Sequence, residues 1–295
     1  MPLAELVPLA LKTSISVLVF TIGLGTAPRE LAYFLRHPGQ LFRSLISMNL
    51  VMPVIAVLIV LIFPLHPAVE VTLVALAFSP VPPILPQKLV RAGGGHAYVM
   101  ALLFSAALFA LISIPIGGVI LDAIFPAKIR IPLGPVVPVI LSTVILPTLA
   151  GIVARLIAPK LAARIAAPLA IAATVLLLVA AVLILIKAGP MILAQIGNGT
   201  FAALAAYVIL GLLVGHLLGG PSAGDRSVLA LATASRHPGI AIAIGGLVYP
   251  AEKAVPAAVM LYLLISIVIS VPYVMWRKHA FDETLAKAPA SDPGP

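Results

Sequence analysis

Nine runs of about 20 apolar residues, divided by proline, glycine or basic breaks, dominate this 295-residue chain and leave it little polar surface with which to fold in water. They fall near residues 6–26, 41–63, 68–90, 96–122, 131–157, 166–187, 200–219, 227–249 and 254–276. Composition agrees: 62% of residues are hydrophobic and 9% charged, a balance that excludes an ordinary soluble enzyme. The expectation is an all-α polytopic membrane protein of about nine transmembrane helices. Residues 1–278 are expected to form a single transmembrane domain, and 279–295 read as a disordered cytoplasmic tail.

Net charge is +9, from 18 Lys and Arg against 9 acids. In a soluble chain such an excess suggests nucleic acid, but no basic helix face or aromatic platform accompanies it, so nucleic acid is set aside. The basic residues instead alternate between loops. Twelve, among them Arg36, Arg43, Arg155, Arg226 and Arg277, lie at one set of span ends and four at the other. The bias predicts an outside N-terminus and a cytoplasmic C-terminus in the cell (inner) membrane. Lys12 followed by TSISVLVFTIGLG resembles a signal peptide, but the apolar run from Val7 to Thr26 is long enough to span, so a retained helix is expected. The absence of cysteine removes disulfides, thiol catalysis and thiolate metal sites. No metal ligand set or cofactor is expected, and oligomeric state is not encoded legibly.

Two spans are interrupted. The third reads VTLVALAFS, then PVPP, then ILPQKLV. Pro80, Pro82, Pro83 and Pro86 each remove a backbone donor and clash with the preceding turn, at about 3 kcal/mol in a helix interior. The eighth reads SVLALATA, then SRHPG, then IAIAIGGLVY, broken at Pro238 and Gly239. Freed backbone groups at membrane depth are tolerated only against protein or a cavity. The breaks also sit in matching contexts. AYVMALL from Ala97 follows the first and AAVMLYL from Ala257 the second, with Pro115 and Pro272 at similar distances beyond. Paired interruptions predict inverted repeats with two discontinuous crossing helices and a substrate site near the midplane.

At these residues the chain resembles the bile acid:sodium symporter family, within the larger superfamily of bile-acid, arsenite and riboflavin-type transporters. GLGT at Gly23 and RHPGQLFRSLISMNLVMP ending at Pro53 resemble its opening segment; SPVPPILPQKLVRAGG and SRHPGIAIAI stand where its two crossing motifs stand. The resemblance implies a transporter, with ten spans usual against nine counted here. It also implies where sodium ligands would lie, and those positions differ. Ala232 stands at the usual Glu and Arg236 at the usual Gln. Pro86 stands at the Asn, and Met48, with Asn49 beside it, at the Gln of the preceding hairpin.

All nine acids lie in loops, at span ends or in the tail, whereas Arg236 falls inside a break. A mid-membrane arginine is costly and needs a cavity or a partner. The reading is that Arg236, with Lys88, supplies the charge that sodium supplies in relatives. Half-helix carbonyl ends would receive the guanidinium, and half-helix N-termini an anionic substrate. His237, Ser79, Thr233, Ser235 and Asn49 complete the candidate substrate-binding residues; His237 is a candidate proton carrier or a helix cap. The function expected is secondary active transport of a small organic anion without the usual sodium sites. The alternatives are a sodium-coupled symporter of bile-acid-like or other anions and a non-transporting receptor. The coupling ion, sodium or proton, is left open, and no enzyme motif appears.

Overall fold

The computed structural model describes residues 3–26, 32–82, 85, 89–90, 93–124, 138, 141–194, 197, 199–248, 252 and 254–287. In chain order the helices are α1 (Leu3–Gly25), α2 (Tyr33–Arg36), α3 (Pro38–Ile62), α4 (Pro67–Phe78) and α5 (His96–Ile124). There follow α6 (Leu141–Ile157), α7 (Pro159–Ala194), α8 (Thr200–Leu218), α9 (Ala223–Ala234), α10 (Pro238–Val248) and α11 (Val255–Lys287). No strand occurs among the described residues.

Five helices are long and apolar enough to cross a membrane, Pro38–Ile62, Pro159–Lys187, Thr200–Leu218, Ala223–Gly246 and Val255–Ala280, and a sixth if α5 is taken as one bent span. Shorter apolar helices, Leu9–Gly25, Pro67–Phe78 and Leu141–Ile157, stand where three further spans were expected. Proline accounts for the bend in α5. The 47° change of direction falls between Ala110 and Ile112, and Pro115 supplies no N–H to the carbonyl four residues back. Two boundaries move. The break before the sixth span shrinks to Ala158, so Lys160 and Arg164 lie inside α7. At the other end α11 continues to Lys287, nine residues into the stretch read as a disordered tail.

The helices sort into two groups. α1 lies along α6 and α7, and backbone meets backbone at Gly23 and Gly151. A Cβ on Gly23 would strike the Thr148 carbonyl, and one on Gly151 the Phe20 carbonyl. Small residues at such a crossing give close van der Waals contact where lipid offers no hydrophobic drive. Arg155 Nη1 donates to the Leu24 carbonyl at 2.7 Å, closing the end of α1.

In the second group, α8 and α9 approach through Gly211 against Ala234 and Gly215 against Ala230. Around them stand α3, α4, α10 and α11. The interrupted segments are its centre: every residue of Val71–Phe78 and of Ser227–Ala234 is buried. In the window through α9 and α10, 78% of residues are buried, against 11% in α7, so the broken helix is core and α7 presents its surface outward.

Candidate functional site

Both breaks are present. α4 ends at Phe78, and Ser79 turns extended with ψ 142°. α9 ends at Ala234, Ser235 is extended with ψ 125°, and helix resumes at Pro238. Proline at the first position of α10 loses nothing, because that N–H has no helical acceptor. The two interruptions touch: the His237 N–H donates to the Pro80 carbonyl at 2.9 Å.

Arg236 lies at this crossing and is 1% exposed. Its Nη1 donates to the Ser79 carbonyl at 3.2 Å and its Nη2 to the Met48 carbonyl at 2.7 Å. A guanidinium thus joins three elements: the break after α4, the break before α10, and α3. The Met48 carbonyl is free for a stated reason. Residues Ile46–Val51 are π-helical, with the Met52 N–H donating to Ser47. In that register the donor for Met48 would come from residue 53, which is proline.

Tyr262 of α11 closes the second break. Its hydroxyl donates to the Ala234 carbonyl at 2.7 Å and accepts from the Arg236 backbone N–H at 2.9 Å. Both groups are buried backbone polar groups that the break deprives of helical partners, and one hydroxyl satisfies both.

His237 is the N-cap of α10. Its Nδ1 accepts from the Ile240 N–H at 3.3 Å, so in neutral histidine the proton sits on Nε2. Nε2 is buried without a hydrogen-bond partner among the described residues. His237 also lines a cleft between the two helix groups, with Val19, Ile22, Val144 and Thr148 on one wall and Val81, Leu103, Phe104 and Ala107 on the other. The cleft is narrow and largely filled by its own lining side chains. As it stands it leaves room for a water rather than for an organic anion.

The other expected site residues are distributed as follows. The Thr233 hydroxyl pairs with Ser47 Oγ at 2.7 Å, and Ser79 Oγ turns back to the Ala75 carbonyl at 2.7 Å. Ser235 lies buried in the break. Asn49 sits in the π-helical stretch, its Nδ2 without a hydrogen-bond partner among the described residues. Gly239 allows close approach of Ile15 from α1. Pro80 and Pro82 lie in the non-helical segment after α4, while Lys88, Pro83 and Pro86 lie outside the described residues. Among the described residues no group of three His, Cys, Asp or Glu is placed to hold a metal ion.

Sequence reasoning missed two contributors. Tyr262 carries no local signal, because its role is tertiary. The Met48 carbonyl was legible in principle through Pro53.

A family model described as the Sodium Bile acid symporter family matches residues 13–195, more than half of the chain. No curated protein matches it.

Proposed function

This chain belongs to the sodium bile acid symporter family, and from that membership and the crossing geometry we propose that it is a secondary transporter of a small organic anion in which the Arg236 guanidinium stands in for a bound sodium ion. The observation that carries this reading is a single one. Arg236 is buried at the meeting of both breaks; its two terminal nitrogens each donate to a main-chain carbonyl of another element, while Nε has no hydrogen-bond partner among the described residues.

Carbonyl oxygens left free at the ends of half-helices are the ligands a sodium ion would use. A permanent cation already on them repels a second, and no buried carboxylate among the described residues balances it. The fixed charge also favours an anion in the adjacent cleft.

The cleft suits such a substrate. Its lining is aliphatic and aromatic except for Thr148 and His237. The Thr148 hydroxyl is committed to the Val144 carbonyl at 2.6 Å, which leaves the His237 Nε2–H as the donor toward a ligand. An apolar body with one carboxylate or sulfonate fits this pattern. Admission requires the α1–α6 wall to part from the wall bearing the breaks, so alternating access is a movement between the two helix groups.

The test is uptake of a panel of organic anions into proteoliposomes, with sodium and pH varied independently. Uptake that persists when sodium is replaced by choline is the expected result. Uptake abolished by that replacement alone would overturn the reading.

A further inference from the structure

We propose that the connection between α8 and α9, together with the end of α11, forms a binding site for the phosphate group of an anionic phospholipid. Three guanidiniums from three different helices surround residues 220–227. Arg226 Nε donates to the Gly220 carbonyl at 2.6 Å. Gly220 is left-handed at φ 88°, and a Cβ there would come within 2.8 Å of Arg43 Nη1, so the Arg43 fork from α3 lies against the same residue. Arg277 from α11 donates through Nε to Ser227 Oγ and through Nη2 to the Ala223 carbonyl, both at 2.8 Å.

Three guanidiniums gathered on one connection make a locally positive surface that favours an anion. The nearest carboxylate, Asp225, is committed elsewhere: its Oδ2 accepts from Gln40 Nε2 at 2.6 Å. No carboxylate bonds to Arg43, Arg226 or Arg277 among the described residues, and Arg43 makes no hydrogen bond there at all. Each guanidinium has five N–H groups in a rigid fork, and most of the fifteen or so remain unspent. Backbone contacts hold Arg226 and Arg277 in place, so the donors are preorganised for a tetrahedral oxyanion.

The surroundings point to a lipid as its carrier. Trp276 lies under the Arg277 guanidinium at 5.1 Å and is 55% exposed; Tyr273 and His216 complete an aromatic patch beside it. Phe42, next to Arg43, is 66% exposed, and Leu35 on α2 is 85% exposed. Aromatic residues of this kind mark the headgroup boundary, and basic clusters between helices at that level take anionic headgroups. Acyl chains would lie against Phe42 and Trp276 while the phosphate meets the arginines.

The test uses the purified full chain and its thermal unfolding midpoint. Phosphatidylcholine, phosphatidylcholine containing phosphatidylglycerol, and inorganic phosphate are added in separate arms. The expected result is a higher midpoint with phosphatidylglycerol than with phosphatidylcholine alone, and no shift with inorganic phosphate. Arg43→Gln and Arg226→Gln should each reduce the phosphatidylglycerol shift by half or more, and Arg36→Gln should leave it unchanged. Because Arg43 makes no hydrogen bond, Arg43→Gln leaves the protein folded in phosphatidylcholine, which keeps the comparison valid. Equal shifts from both lipids, or a shift that survives the Arg43→Gln/Arg226→Gln double substitution, would overturn the site. A shift of the same size from inorganic phosphate would overturn the lipid assignment.

Discussion

Arg236 Nη2 lies 2.7 Å from the carbonyl oxygen of Met48, a main-chain group that Pro53 deprives of its helical donor. Two residues 188 positions apart therefore satisfy each other's buried polar groups, and the charge of one is held by the dipole of the other.

Arg236 should be irreplaceable by lysine. A compact ammonium cannot span the Ser79 and Met48 carbonyls as the planar fork does. Losing one charge-assisted hydrogen bond costs about 1.5–3 kcal/mol, and Arg236→Met, which loses both, more than that. Thermal unfolding in detergent should rank wild type above Arg236→Lys above Arg236→Met, with anion uptake lost in both variants. A methionine variant as stable and active as wild type would show that the guanidinium is dispensable.

Tyr262 and Tyr207 provide a paired test of what a buried hydroxyl contributes. The rings stack edge to face with centroids 6.2 Å apart, and the Tyr262 hydroxyl is the one that bonds the break. Tyr262→Phe leaves the Arg236 N–H and the Ala234 carbonyl unpaired, at about 1–3 kcal/mol. Tyr207 Oη makes no hydrogen bond of good geometry, although it lies beside the Arg236 guanidinium, so Tyr207→Phe should cost less than Tyr262→Phe. Denaturation of the two variants side by side separates the hydroxyl effect from that of ring packing.

The difference between these two tyrosines also marks what the sequence discloses. A proline breaks a helix by its own covalent structure, so Pro80 and Pro238 announce their breaks locally. An arginine inside an apolar run is conspicuous for the same reason, and Arg236 does lie at the crossing. Tyr262 bridges a break 26 and 28 residues away, and no local pattern distinguishes it from Tyr207. Thr233 and Ser79 were candidates because hydroxyls beside a break are available in principle. Which way a hydroxyl turns is decided by neighbours such as Ser47 that only the folded chain brings near. Span lengths were legible only coarsely, because α7 continues through Lys160 and Arg164 on an alanine-rich, helix-favouring stretch.

The α1–α6 crossing should tolerate no side chain. Gly23→Ala and Gly151→Ala each drive a methyl group into the facing backbone, an overpacking penalty of about 1–3 kcal/mol. Gly39, in the first turn of α3, has nothing within 4 Å of the position a methyl group would take, and it serves as the control. Gly39→Ala should stabilise by about 0.5–1 kcal/mol through reduced backbone freedom in the unfolded chain. Unfolding midpoints that fall for the first two and hold or rise for the third would establish the contact. Uniform behaviour of all three would contradict it.

His237 has two nitrogens with separable tasks, and substitutions can take them apart. Nδ1 caps α10 by accepting from Ile240, while Nε2 carries the proton and has no partner among the described residues, on a residue that lines the cleft. Asparagine is a strong N-cap residue, so His237→Asn should retain the cap and the stability that goes with it. Its shorter side chain, however, withdraws the donor from the cleft, and apparent substrate affinity in the uptake assay should weaken. Alanine removes both functions, with a further stability loss of about 1 kcal/mol from the missing cap. The capping bond also bears on coupling. A second proton would have to enter at Nδ1, where it would face the Ile240 N–H, so the fold favours neutral His237 as a fixed donor over a proton carrier. Uptake driven by a pH gradient in wild type and lost in His237→Asn would reverse that assignment. Uptake indifferent to the gradient in both, with affinity alone reduced in the variant, is the expected result.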